Sequence, residues 1–127
     1  MNAMSKPLYL IDSITQINAH MESAVIVSGS HGGVSSASYV VNAPKRPFAV
    51  FFNDAGVGKD DAGIEALTIL DGLDMLAFAY GHDTARIGQA QDGLDSGIVT
   101  HINTKAAPYA QWIGKRVSEL VSHLRAS

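Results

Sequence analysis

Apolar residues come along this chain in short unbroken runs separated by polar, glycine-rich turns. Pro7-Leu8-Tyr9-Leu10-Ile11, Ala24-Val25-Ile26-Val27, Phe48-Ala49-Val50-Phe51-Phe52 and Met75-Leu76-Ala77-Phe78-Ala79-Tyr80 are the four clear cases. A strand with one solvated face alternates apolar and polar residues. A run of this length without alternation suits a strand buried on both faces.

The segments between the runs have helical character. Ser13 with Gln16 three residues on matches a capping box and predicts a helix from Ser13 to about Glu22. After Gly32-Gly33 a helix is expected from about Val34 to Val41, stopped by the prolines of Asn42-Ala43-Pro44-Lys45-Arg46-Pro47. A third helix follows Asp60-Asp61, either of which can cap it, and ends at Gly72. Its Ile64, Leu67, Ile69 and Leu70 occupy most of the circumference. Such a helix needs cover on more than one side, so a homo-oligomer is expected.

Gly81-His82-Asp83 opens a long glycine-punctuated loop to Gly97. Residues 98–104 read two ways. Their β-branched side chains favour a fifth strand, while Asp95-Ser96 as cap and the Ile98/Ile102 spacing favour a helix, and helix is the preferred reading. Trp112, Ile113, Val117, Leu120, Val121 and Leu124 form one helical stripe, with Pro108 at its start and Arg125 near its end.

Strands alternating with helices imply βαβ units and a parallel sheet. The expected architecture is an α/β three-layer sandwich: a mostly parallel sheet of four or five strands with helices on both faces. It forms a single domain over residues 1–127, with 1–6 as a flexible lead.

Composition narrows the function. With 127 residues and 46% hydrophobic content, the chain can bury one core and not two. A net charge of −3 leaves no cationic excess for phosphates, so nucleic-acid binding is not expected. Cysteine is absent, which removes disulfides and thiolate chemistry. No apolar run approaches the ~20 residues that span a bilayer, and the first residues do not resemble a signal peptide. No membrane association is expected, and the cytoplasm is the expected compartment. Eleven of the twelve glycines lie between Gly29 and Gly97, and aspartate outnumbers glutamate nine to three. Both residue types belong in tight turns.

Three of those turns follow apolar runs, and in a parallel sheet such turns share the ligand-binding edge. Ser28-Gly29-Ser30-His31-Gly32-Gly33 resembles the nucleophile elbow of α/β-hydrolases over about nine residues, with Ser28 in place of the pattern's first glycine. The order Ser30, Asp54, His82 also matches that family's nucleophile, acid and histidine. The bland alternative is a small-residue turn that packs a helix on the sheet. Asn53-Asp54-Ala55-Gly56-Val57-Gly58-Lys59-Asp60-Asp61 lacks the glycine and hydroxyl positions of a phosphate-binding loop. It leaves Asn53 and Asp54 at a strand end, either as site residues or as turn formers. Gly81-His82-Asp83-Thr84-Ala85-Arg86 adds an imidazole and a guanidinium, the latter suited to a carboxylate.

The preferred expectation is a hydrolase of an amide or ester bond in a small polar, carboxylate-bearing metabolite. Ser30 attacks, His82 takes its proton and Asp54 orients the ring. The Gly32-Gly33 backbone stabilises the oxyanion, with His31, Asn53, Gly56 and Arg86 binding substrate. A non-catalytic small-anion module, or the small subunit of a larger enzyme, is the alternative. No cofactor is expected. His31, Asp54, His82 and His101 could supply ligands to a divalent metal, a third reading, but show no diagnostic spacing.

Overall fold

The computed structural model describes residues 5–127. Of the expected flexible lead, residues 1–4 lie outside that range. Lys6 is tied down: its amide donates to Arg125 O at 3.0 Å, and Arg125 Nε donates to Lys6 O at 2.6 Å.

Five strands lie side by side in chain order: β1 (Leu8–Ile11), β2 (Val25–His31), β3 (Ala49–Asn53), β4 (Leu76–Tyr80) and β5 (Val99–Ile102). β1 to β4 are parallel, and β5 runs antiparallel to β4. The α-helices are α1 (Val34–Val41), α2 (Glu65–Asp71), α3 (Ala90–Ser96) and α4 (Val117–Arg125).

Strand order explains the layers. Crossovers of one hand that always step the same way along a sheet fall on the same face. Ile14 and Met21 from the β1–β2 connection, Ala37 and Val40 of α1, and Leu67 and Leu70 of α2 all join one core with Ile26, Val50, Phe52, Ala77 and Ala79. After β4 the chain changes face. Leu120, Val121 and Leu124 of α4 pack with Val25, Val27, Phe51, Phe78 and Tyr80. Successive strand residues thus feed alternate cores, which is why the runs show no polar alternation. Phe51 and Phe78 stack at 4.8 Å between centroids in the middle of the second core.

Several elements differ from expectation. The helix expected over 13–22 is two 3-10 turns, Ile14–Gln16 and Ala19–Met21. The capping box at Ser13 and Gln16 forms, but Ile17 turns extended and Asn18 caps a fresh turn through His20 N at 2.9 Å. β-Branched Ile14, Thr15 and Ile17 gain little from continuing a helix. Residues 99–102 are a strand, not a helix, because β4 offers an open edge for their β-branched side chains. Asp95 and Ser96 belong to α3, a helix inside the stretch expected to be loop. Gly93 and Gly97 are required there, since a Cβ on Gly93 would meet the Tyr80 ring at 2.7 Å and one on Gly97 would run into the Gly93 carbonyl. The final stripe is broken: Trp112 ends a 3-10 turn over Ala107–Trp112, Gly114 sits at φ +89°, and α4 starts only at Val117. Asp60 and Asp61 lie within a 3-10 segment, Lys59–Ile64, and do not cap α2.

The motive for self-association changes too. Leu67 and Leu70 are buried under the sheet, and Ile64 and Ile69 are half-buried against the same core. The chain itself covers most of the helix surface that suggested a second copy.

Candidate functional site

The parallel arrangement brings the carboxyl ends of β2, β3 and β4, with their following loops, to one edge of the sheet. At its centre is Asp54, the residue after β3, whose amide donates to Tyr80 O at 2.8 Å. Its Oδ1 accepts from the amides of Gly56 at 2.9 Å and His82 at 3.0 Å, and lies 3.1 Å from His82 Nδ1. Its Oδ2 accepts from the Thr100 hydroxyl at 3.1 Å.

The two members of the pair differ in exposure. The Asp54 side chain is 7% exposed and that of His82 57%. Burial pushes the Asp54 carboxyl up. The Gly56 and His82 amides, the Thr100 hydroxyl and the His82 ring outweigh it and hold the carboxyl below its ordinary 3.8. A carboxylate only accepts, so His82 Nδ1 carries the proton in this contact. In the neutral ring Nε2 is then an unprotonated base.

The loop beneath the imidazole is strained. Ala55, Gly56, Val57 and Gly58 have φ of +52°, +76°, +65° and +75°. Positive φ is unfavourable for alanine and more so for β-branched Val57. Gly56 lies against His82, where an added Cβ would touch the ring at 3.6 Å. Ala55, Val57 and Gly58 of this loop, with His31, Gly33 and Val34, border a neighbouring crevice of about 470 Å³, which His82 does not line.

The other expected site residues have different partners. Ser30 Oγ accepts from Ile14 N at 2.9 Å, on the β1 side of β2. β3 stands between β2 and β4, and strand spacing puts those two about 10 Å apart. The structure joins Asp54 to His82 and gives Ser30 no hydrogen bond to either. The Gly32 amide donates to Asn53 O at 3.1 Å, and the Gly33 amide to His31 Nδ1 at 3.0 Å. The expected Gly32-Gly33 oxyanion cradle is therefore occupied by the protein's own acceptors, a correction that follows from the tight entry into α1. His31 Nδ1, as acceptor, leaves the ring proton on Nε2 when neutral. Asn53 is buried and braces two loops, donating from Nδ2 to Ala85 O at 3.1 Å and accepting from Ala55 N at 2.8 Å. Arg86 is exposed, and its amide donates to Asp92 Oδ2 at 2.7 Å.

Nothing in the loop pattern singles out Thr100, and His101 reads there as a metal ligand or a partly buried polar residue. In the pairing of β4 with β5, Ala79 faces His101 and Tyr80 faces Val99, which leaves Thr100 as the extra residue of a bulge. Bulges re-aim side chains next to sites. No pattern in the chain marks this one. Among the described residues, no three His, Asp or Glu side chains gather as a metal-ligand set.

Compared with protein-family models, curated proteins and solved structures, the chain finds no match.

Proposed function

We propose that the chain is a small-molecule hydrolase in which His82, oriented by Asp54, is the general base. The observation that carries this reading is the contact between an exposed imidazole and a buried carboxylate held by two amides and a hydroxyl. Such a carboxylate fixes the ring tautomer and stabilises the imidazolium that forms during proton transfer.

Because Ser30 is engaged with Ile14 N, water is the better nucleophile. His82 Nε2 takes a proton from water, and the hydroxide adds to the carbonyl carbon of an ester or amide. The imidazolium then gives that proton to the leaving alcohol or amine. Arg86, in the same loop, is suited to a carboxylate on the substrate. His31, on the wall of the crevice, can donate from Nε2 to the polar end of the molecule.

The test is hydrolysis of a panel of esters and amides of small carboxylic acids, comparing the native protein with His82→Ala and Asp54→Asn. We expect His82→Ala to lose about 10²- to 10⁴-fold in turnover, as removal of a general base does, and Asp54→Asn to lose activity as well. A serine-directed phosphonate is expected to leave the native protein unlabelled. Turnover equal in native protein and His82→Ala overturns the proposal. Carboxylate binding without His82-dependent turnover would instead favour the non-catalytic small-anion module.

A further inference from the structure

Beyond Asp54 the hydrogen bonds continue. Thr100 Oγ1 lies 3.1 Å from Asp54 Oδ2, 3.4 Å from Ala79 O and 3.0 Å from His101 Nδ1. A hydroxyl has one proton to give and accepts through its lone pairs. If His101 Nδ1 were a bare acceptor, it would compete for the Thr100 proton. With Nδ1 protonated, His101 donates to Oγ1, and the hydroxyl proton is left to choose between the carboxylate and the Ala79 carbonyl. The carboxylate is the nearer acceptor and carries charge, which strengthens the bond.

The backbone supports this arrangement. Neighbouring residues on a regular strand point to opposite faces. Here the bulge lets the side chains of Thr100 and His101 meet. The Thr100 methyl is confined as well: a Cβ on Gly81 would come within 3.3 Å of it. A β-branched side chain so placed has little freedom at χ1.

We propose that Thr100 and His101 are positioning residues for the His82–Asp54 pair, His101 directing the Thr100 proton onto Asp54. This rests on reading Asp54 and His82 as the site, and not on the reaction they perform. Other charged groups adjoin the string. Asp83 is turned onto Gly81, where an added Cβ would lie 2.7 Å from its Oδ1. On the far side His101 shares a groove with Asp60, Asp61, Glu65 and Asp71.

The experiment is a carbon-detected NMR titration of the Asp54 carboxyl, which needs no substrate. In Thr100→Val the midpoint should rise, and Thr100→Ser should restore it. His101→Phe should raise it in part. In the Thr100→Val background, His101→Phe should add nothing, because the string is already cut. An unchanged midpoint in Thr100→Val or in His101→Phe overturns the proposal. So does a full additive shift in the double variant, which would mean that His101 acts by direct charge. Should Thr100→Val fail to fold, His101→Phe and Thr100→Ser still decide. Absent turnover in the native protein would count against hydrolysis alone and leave this titration readable.

Discussion

Asp54 links stability to site chemistry. Its carboxyl is held below 3.8 in the folded chain despite burial. A group with a lowered folded pKa contributes stability above its unfolded value and loses it as pH falls through the folded one. The stability difference between native protein and Asp54→Asn should therefore be fully present near neutrality and shrink below about pH 4. Urea titrations at several pH values measure it. Gly29 is a different kind of constraint. A Cβ there would lie 2.6 Å from Asp12 O, Gly88 C and Gln89 N, all backbone atoms. Nothing flexible can yield, so Gly29→Ala should cost about 1–3 kcal/mol or more by denaturant unfolding, the usual range for overpacking.

Among the elements, β4 and α3 depend on each other through Tyr80. Its ring is buried against Gly93 and Gly97, and its hydroxyl donates to Ser28 O at 2.7 Å. Burial, and then the charges of Asp92 and Asp12, push the phenol well above its ordinary 10.0. A raised folded pKa keeps its contribution below the unfolded value and loses it as pH rises through the folded one. Native protein should thus lose stability above about pH 10, and Tyr80→Phe should show less of that alkaline loss. At neutral pH the variant should be weaker by about 1 kcal/mol, since one hydrogen bond is gone and the Ser28 carbonyl is left buried. The helix that closes on Tyr80 was hidden in the sequence. Its Ala90-Gln91-Asp92-Gly93-Leu94-Asp95-Ser96 is polar and interrupted by glycine, and the tyrosine ring explains Gly93, while Gly97 is confined by the Gly93 carbonyl as well as by that ring.

For the molecule as a whole, the two cores meet across a sheet whose centre is β3. Phe51 and Phe78 stack there with no exposure. Phe78→Ala should cost about 3–5 kcal/mol, read as a lower urea midpoint, because the sheet on one side and α4 on the other leave little room to collapse. The same sheet holds the site, so a loosened second core should also weaken the contact between Asp54 and His82.

The chain's own pattern was enough for the α/β class, the four parallel strands, α1 to the residue, and the gathering of three turns at one edge. These follow from local rules: unbroken apolar runs, turn formers after them, and the constant hand of crossovers. Asp54 and His82 could be named because Asp54 directly follows β3 and His82 comes two residues after β4. What the pattern could not supply depends on contacts between distant residues. The open edge of β4 made residues 99–102 a strand, and the bulge in that pairing gave Asp54 its hydroxyl partner. Ile14 N took Ser30, while Asn53 O and His31 took the amides of Gly32 and Gly33. Sequence spacing says which groups can reach an edge. Only the folded chain decides which donor finds which acceptor, because the partners come from segments far apart in the sequence and compete for the same groups.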